Sequence, residues 1–572
     1  MALALGMAML LGSFAACGEK EDNGPYVYAY FTSECPENLD PGVPQYDHDT
    51  VKYLGLLYEG LFKIDGNGNL KKALCEDYYV EKVDGENRLY IELKNTKWSD
   101  GVSVTASNIV YAWKRLLEPG YEGPGASMLM CLKNAVAVKE GVERMMTIDD
   151  IGLVELNEKL IEIRFEDPNY DIDLFLQTLA SPYLVPVREE LVNSNPTGWA
   201  TVEVEDPTTI ATNGPFCIRA WNSKGMTLGR NNYYYLEGIA DENKQEYVNV
   251  DKMYITFGDA EDAAEVFDAT AAGTAEDEFL FYMGEFTDDA NYKTVSQDML
   301  STMTVILNPS SNNEALKNSD TRKALSAVID RNAIASATGG KAAEGIVPFG
   351  VFENADTKKQ FRTVGGNVLA QNFSDTSAIK NAKGKTITIT ALSGNADHDK
   401  VIARLQKDWG ENGITVKSRK LPYAKYVDHL NKGDYEAIVF DLTAYTADAF
   451  SVLSQFSVKY SGKALTQNEN WEYGFVPHVT GYDGAKFNEN MDNAFETSNL
   501  KDRAEILHSA EYLLLDDMIA IPLYHNVDRY TTNGEISGVK SSWYGFRDFN
   551  DTKVKDYSFY IEFEESKRDK KK

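Results

Sequence analysis

Two Asp-His-Asp triplets, Asp47-His48-Asp49 and Asp397-His398-Asp399, carry the residue types that hold divalent metals. Adjacent residues on an extended strand point to opposite faces, so neither triplet closes on one ion there, and a turn or helix start is the expected setting. Asp65-Gly66-Asn67-Gly68-Asn69-Leu70, with Glu76 at the twelfth position, has the outline of a calcium loop. Leu70 stands where that loop needs glycine for its sharp turn, so a Gly/Asn hairpin turn is expected instead. The other histidines, His429, His478, His508 and His525, are scattered. No GxSxG elbow, HExxH helix, Walker loop or GxGxxG after a strand occurs, which leaves the common nucleophilic, metallohydrolase and nucleotide chemistries without a motif. Among 88 acidic residues a glycosidase-type carboxylate pair stays open, but no spacing singles one out. The expectation is a binding protein rather than an enzyme, with no cofactor and no metal.

At 572 residues the chain is too long for one core, so two or three domains are expected. The net charge of −31, from 57 basic and 88 acidic residues, argues against nucleic-acid partners and against electrostatic docking to anionic lipid. Tyr26 to Phe31 reads as a first strand and Val51 to Phe62 as a helix. Arg88 to Leu93 alternates as a strand, Thr105 is a plausible cap for the helix Ile109 to Leu117, and Leu160 to Phe165 is another strand. Asp171 to Leu179 reads as a helix, Asp251 to Phe257 as a strand, and Ala260 to Gly273 as a helix. Thr302 to Leu307 is a strand that Asn308-Pro309 stops. Behind it Ser319 or Asp320 offers a cap, with Ala324, Leu325, Val328 and Ile329 on one helical face and Arg322, Lys323, Asp330 and Arg331 mostly outside it. Lys385 to Thr390, Asp399 to Trp409 and Ile414 to Val416 form a β-α-β unit, and Tyr423 to Asn431 with Tyr435 to Phe440 repeats it. Two crossovers in a row predict a mostly parallel sheet whose ligands sit at strand C-terminal ends.

The string Thr302 to Asn308 followed by Arg322-Lys323-Ala324-Leu325-Ser326 and Ile329-Asp330-Arg331 resembles the bacterial solute-binding protein family 5, the peptide-capturing receptors of ABC importers. Four further stretches share that resemblance: Leu39-Asp40-Pro41; Tyr58-Glu59-Gly60-Leu61-Phe62; Trp98-Ser99-Asp100-Gly101 with Tyr111-Ala112-Trp113-Lys114-Arg115; and Asn213-Gly214-Pro215 with the Asn-Tyr run from Asn231. So does the helix Lys501 to Leu515, similar to the family's Arg…Ala-Glu helix. The resemblance implies an α/β, two-lobed periplasmic-binding-protein-like fold with an extra subdomain, mixed sheets and a hinge of two crossing strands. It divides the chain into lobe I (26–60, a small subdomain 61–190, 191–300 and 523–565) and lobe II (301–522), with a disordered tail at 566–572. It makes Trp98 and Trp113 packing residues. It places ligand contacts at Glu34 and Cys35 before the Leu-Asp-Pro turn, at Tyr445-Thr446-Ala447-Asp448 after the last strand of lobe II, and at Tyr524 on the return strand. One alignment gives Asp448 the peptide's α-ammonium; another puts Tyr445 at that position and Asp448 on a later Asp. A helix N-cap is the plain structural role for Asp448. The implied partners are a short peptide and ABC permease subunits, with a nickel chelate, an oligosaccharide or a carboxylate hydrolase's substrate as alternatives, and the implied state is a monomer.

Met1 to Ala16 is apolar and shorter than a membrane span, and small residues precede Cys17. The stretch resembles a bacterial lipobox, although no basic residue precedes the apolar run and Phe14 stands where Leu is usual. It implies a signal peptide over 1–17, a lipid anchor on Cys17, a tether over 18–25, and export to the outer face of the cytoplasmic membrane or the periplasm. Cys35, Cys75, Cys131 and Cys217 have no metal spacing, and mostly free, buried thiols are expected.

Overall fold

The computed structural model describes residues 25–31, 35–43, 48–65, 69–119, 121, 125–140, 146–168, 170, 172–234, 248–258, 280–283, 292–354, 359–444, 446–457, 459–460, 484–541 and 546–555. Cys17, Glu34, Tyr445, the helix read at Ala260 to Gly273 and the tail 566–572 lie outside the described residues. Two long strands, Tyr292–Leu307 and Ala520–Asn533, run antiparallel through the middle of an 11-stranded mixed sheet. On one flank, in order, lie Ala437–Thr443, Thr386–Leu392 and Thr415–Leu421. On the other lie Phe281–Met283, Tyr26–Phe31, Lys252–Phe257, Gly225–Arg230 and Phe216–Asn222. Each flank carries helices of its own, and the buried apolar residues of both flanks run together into one cluster through the two long strands.

The first flank is the predicted double β-α-β. Its three outer strands are parallel to one another, and helices Ala396–Glu411 and Tyr423–Lys432 make the crossovers. Asn395 caps the first helix by accepting from the Asp397 and His398 amides, so the second Asp-His-Asp triplet is a helix start. Likewise Asp65 and Asn69 close a hairpin between Phe62–Ile64 and Leu70–Lys72.

Sequence pattern showed only the C-terminal half of the strand Tyr292–Leu307, because its first half, Tyr-Lys-Thr-Val-Ser-Gln-Asp, has no apolar face. The register between the two long strands shifts twice on crossing from flank to flank: Asp298 faces Val527 and the next pair is Thr302 with His525, and after Met303 with Tyr524 the next pair is Thr304 with Pro522. Asn526 fills the first shift, donating from Nδ2 to Ser301 Oγ and to Asp441 Oδ1, both at 2.8 Å. The helix behind the first strand also departs from the pattern. Its cap is Asn318, ahead of both expected caps, Ser319 and Asp320, and it breaks at Val328, with Asp330 capping a second helix, Arg331–Thr338. Arg322 and Arg331, expected outside, turn inward because each has backbone carbonyls to satisfy. Arg322 Nε donates to Asp517 O and Arg331 Nε to Pro522 O, both at 2.8 Å. The Arg-Lys-Ala-Leu-Ser and Ile-Asp-Arg strings therefore fasten the entry of the second long strand.

His525 sits at that crossing, 1% exposed. The Glu344 amide donates to its Nε2, so Nδ1 carries the proton and donates to Thr302 Oγ1 at 2.9 Å. Burial first, then the Arg362 and Lys341 charges, push this imidazole down to about 3. The unfolded ring takes a proton below about 6.5 while the folded ring stays neutral, so His525 contributes stability above that pH and loses it as pH falls. Thermal unfolding is expected to shift to lower temperature already between pH 6.5 and 5, before carboxylates titrate. A His525→Gln variant that kept the full slope would remove His525 as its source.

The small subdomain is a four-stranded antiparallel sheet, ordered Cys75–Val83, Glu86–Leu93, Leu160–Arg164, Leu153–Asn157, packed on helix Ala106–Leu117. Trp98 and Trp113 are fully buried packing residues. The Trp98 indole N–H donates to Asn108 Oδ1 and that of Trp113 to Leu184 O, each at 3.1 Å. Arg115 forks onto buried Asp40 at 3.0 and 2.7 Å, and Trp199 Nε1 donates to the same carboxylate at 2.8 Å. The Leu-Asp-Pro turn is thus held by the Tyr-Ala-Trp-Lys-Arg helix. Cys75 and Cys131 are buried free thiols, each pushed up to about 12 chiefly by burial, which leaves them un-nucleophilic. Among the described residues no helix is long and apolar enough to cross a membrane.

Candidate functional site

The strand Ala437–Thr443 ends beside the crossing, where the Ala444 amide donates to Leu300 O at 2.7 Å. The chain then forms the loop carrying Thr446, Ala447 and Asp448 at the C-terminal end of a parallel strand, the position expected for ligand contacts in such sheets. Its backbone is already engaged. Phe352 N–H donates to Ala447 O at 2.8 Å, Thr446 N–H to Ser451 Oγ at 3.2 Å, and Asp448 N–H to Thr446 Oγ1 at 3.2 Å. Ser451 Oγ also lies 3.0 Å from Thr446 O and 2.8 Å from Asp448 O.

Asp448 is the N-cap of helix Ala449–Leu453, accepting from the Phe450 amide at 3.3 Å. Its two oxygens also take a fork from Arg503, Nη1 to Oδ1 at 3.0 Å and Nη2 to Oδ2 at 2.7 Å. Arg503 comes from helix Leu500–Asp517 and is 9% exposed against 24% for Asp448. The carboxylate is therefore neutralised by a guanidinium and committed to a cap. This geometry suits the alignment that gives Asp448 the later acidic position rather than the ammonium site.

Facing the loop is the small subdomain. Cys131, Tyr170 and Thr178 on that side, with Asp448, Phe450 and Arg503 opposite, line a cavity of about 30 Å³, room for one or two waters. Burial first, and the Cys131 thiol second, hold the Tyr170 hydroxyl well above its usual value, so it stays neutral. Arg503 packs over the Phe450 ring at 5.5 Å.

Of the sequence-predicted contacts, Thr446, Ala447 and Asp448 share one loop. Cys35 lies elsewhere, half-buried, its Sγ 3.3 Å from Trp221 Nε1 and 3.4 Å from Asn222 O. Tyr524 is not at the surface: it is 1% exposed, paired with Met303 and Ala342 in the sheet, and close against Gly340. Burial holds its hydroxyl far above the usual phenol value. Sequence reasoning missed Arg503 as the partner of Asp448 and the small subdomain's Cys131 and Tyr170 as neighbours. The Arg…Ala-Glu pattern carried the only signal for the first; for the others, more than 250 residues away, spacing offered none.

A family model described as bacterial extracellular solute-binding proteins, family 5 (middle) matches residues 70–463. The oligopeptide-binding protein OppA of Bacillus subtilis is 24% identical over 544 residues, 91% of each chain. The dipeptide-binding protein DppE of the same organism is 23% identical over 570 residues, 96% of this chain and 97% of the relative. Among solved structures, Listeria monocytogenes OppA bound to peptide superposes with a TM-score of 0.73 at 18% identity, over 93% of this chain and 99% of that one. The two flanks of the sheet are accordingly the two lobes of the fold those structures share.

Proposed function

The chain belongs to family 5 of the bacterial extracellular solute-binding proteins, and on that premise we propose that it is an ABC-importer receptor that captures short peptides between its lobes and delivers them to a permease. The observation that carries the reading is the pair of long strands whose register shifts where they pass from flank to flank, from Asp298/Val527 to Thr302/His525 and again from Met303/Tyr524 to Thr304/Pro522. Two flanks joined by two strands whose pairing is interrupted at the crossing can rotate there, which is the mechanics of hinge closure on a guest. Full-length similarity to an oligopeptide-binding and a dipeptide-binding protein supports peptides as the guest class. The lobe boundary then falls near 300 on the first strand and near Asn526 on the second, a few residues past the 522/523 division.

An extended peptide is held through its backbone groups, with side chains falling alternately into pockets, so capture requires no chemistry on the ligand. The same reading makes Cys17 the lipidated first residue of a mature, monomeric receptor on the outer face of the membrane; the small residues before it support this. Calorimetric titration with mixed short peptides is expected to give saturable binding, with the peptides recovered intact and the scattering radius reduced on closure. Mass spectrometry of protein from cells is expected to find co-purified short peptides and a diacylglyceryl group on Cys17. Cleaved peptides, or saccharide hydrolysis lost on a single carboxylate substitution, would instead make the chain a hydrolase.

A further inference from the structure

Within lobe I, where helix His48–Leu57 ends, there is a second cavity, of about 110 Å³. It shares no lining residue with the Asp448 cavity. Leu54, Phe62, Ile64, Pro182, Val185 and Phe546 form apolar walls. Three oxygen atoms on its lining residues are buried and make no hydrogen bond: Tyr58 Oη, Glu59 Oε2 and Asn550 Oδ1. Tyr58 is 3% exposed and Glu59 7%. Buried polar atoms are paired in about nine cases of ten, and a buried carboxylate oxygen is the costliest to leave alone. Three around one small space mark a place where a partner belongs.

The scaffold holds this carboxylate from behind. Glu59 N–H donates to Asn213 Oδ1 at 3.2 Å, and Asn213 Nδ2 donates to Glu59 O at 2.8 Å. Gly214 makes the clamp possible, since a Cβ there would lie 2.6 Å from the Leu57 carbonyl carbon. The other oxygen, Oε1, takes Lys63 Nζ at 3.3 Å, but that lysine is half exposed and sits at the rim. Arg547, the second cation in the lining, is spent on Asp528. Burial, then the Asp40 charge, push the Tyr58 hydroxyl up, so it remains a neutral group that donates or accepts.

Carboxylate and amide oxygens only accept. A guest that completes the set must bring at least two N–H donors and a positive charge on a body small and apolar enough for the walls. We propose that this cavity is a separate binding site for a small primary ammonium on a short alkyl chain, with Glu59, Asn550 and Tyr58 as its three polar contacts. The proposal does not depend on the peptide reading.

The test is titration of the full chain with n-butylammonium chloride, with n-butanol as the uncharged isostere. The ammonium is expected to bind at least tenfold more tightly than the alcohol. Glu59→Gln is expected to weaken it at least tenfold and Asn550→Asp to strengthen it, with peptide binding unchanged in both. Thermal unfolding of each variant shows whether it is folded, and Asn550→Asp supplies a gain that misfolding cannot imitate. Equal binding of ammonium and alcohol, binding of neither, or indifference to both substitutions would mean that the cavity holds only water.

Discussion

Glu511→Ala is expected to destabilise the folded chain by roughly 3–5 kcal/mol, the range for removing one partner of a buried ion pair. Glu511 and Arg362 are 1% and 0% exposed and directly paired. The Glu511 Oε1 atom also accepts from the Ile346 and Val347 amides at 2.9 and 3.0 Å. Deleting the carboxylate strands a guanidinium and two amides at once. Among the described residues Arg362 then keeps the Gly366 and Glu344 carbonyls, at 3.1 and 3.4 Å. The effect is expected in lobe II stability, read as the urea midpoint with an unchanged denaturant slope. Combining Arg362→Met with Glu511→Leu removes both charges and is expected to recover most of the arginine's share, leaving the two amides as the residue of the loss. A Glu511→Ala midpoint within experimental scatter of the parent would show that the interior relaxes around the charge.

The same helix explains why an Arg…Ala-Glu pattern stands out in the sequence. Arg503 and Glu511 are two turns apart, and each reaches a different segment, the Asp448 loop and the irregular run through Ile346. Local pattern revealed the helix, because its apolar residues recur at helical spacing. It did not reveal the targets, which depend on how distant segments fold back. The double β-α-β of lobe II was legible for the same reason, yet the placing of Thr386–Leu392 between the other two parallel strands was not. Tyr524 shows the converse. Its aromatic ring on the return strand looked like a contact surface, but strand pairing on both sides, with Met303 and Ala342, puts it beneath the Gly340 backbone. The crossing itself was only half visible, since the strand Tyr292–Leu307 lacks a continuous apolar face along its first half. Asn526, which fills the first register shift, carries no sequence signal because an asparagine in a strand is unremarkable until its partners are known.

Asp448→Asn is expected to lower affinity for a free-amine tripeptide and for its N-acetylated form by the same factor, about tenfold or about 1.4 kcal/mol. A carboxylate waiting for an ammonium must be reachable and uncompensated. Asp448 is forked by Arg503 at 3.0 and 2.7 Å, and its cap bond to Phe450 N fixes the start of helix Ala449–Leu453. Asparagine keeps the cap but cannot hold the fork, so Arg503, 9% exposed, loses its carboxylate and keeps a buried charge, with Ala494 O at 3.2 Å. What fails is then the shape of the loop and its contact with Phe352 N through Ala447 O, which every ligand senses alike. Arg503→Met is expected to reproduce the loss, because it breaks the same fork from the other side. An acid that clamps the amine would behave differently: Asp448→Asn would cost the free-amine peptide far more than the acetylated one, and Arg503→Met, by freeing the carboxylate, would tighten the free-amine peptide. That pair of opposite signs would restore Asp448 as the ammonium site, and equal losses in all four titrations would leave it as the post that holds the loop in place.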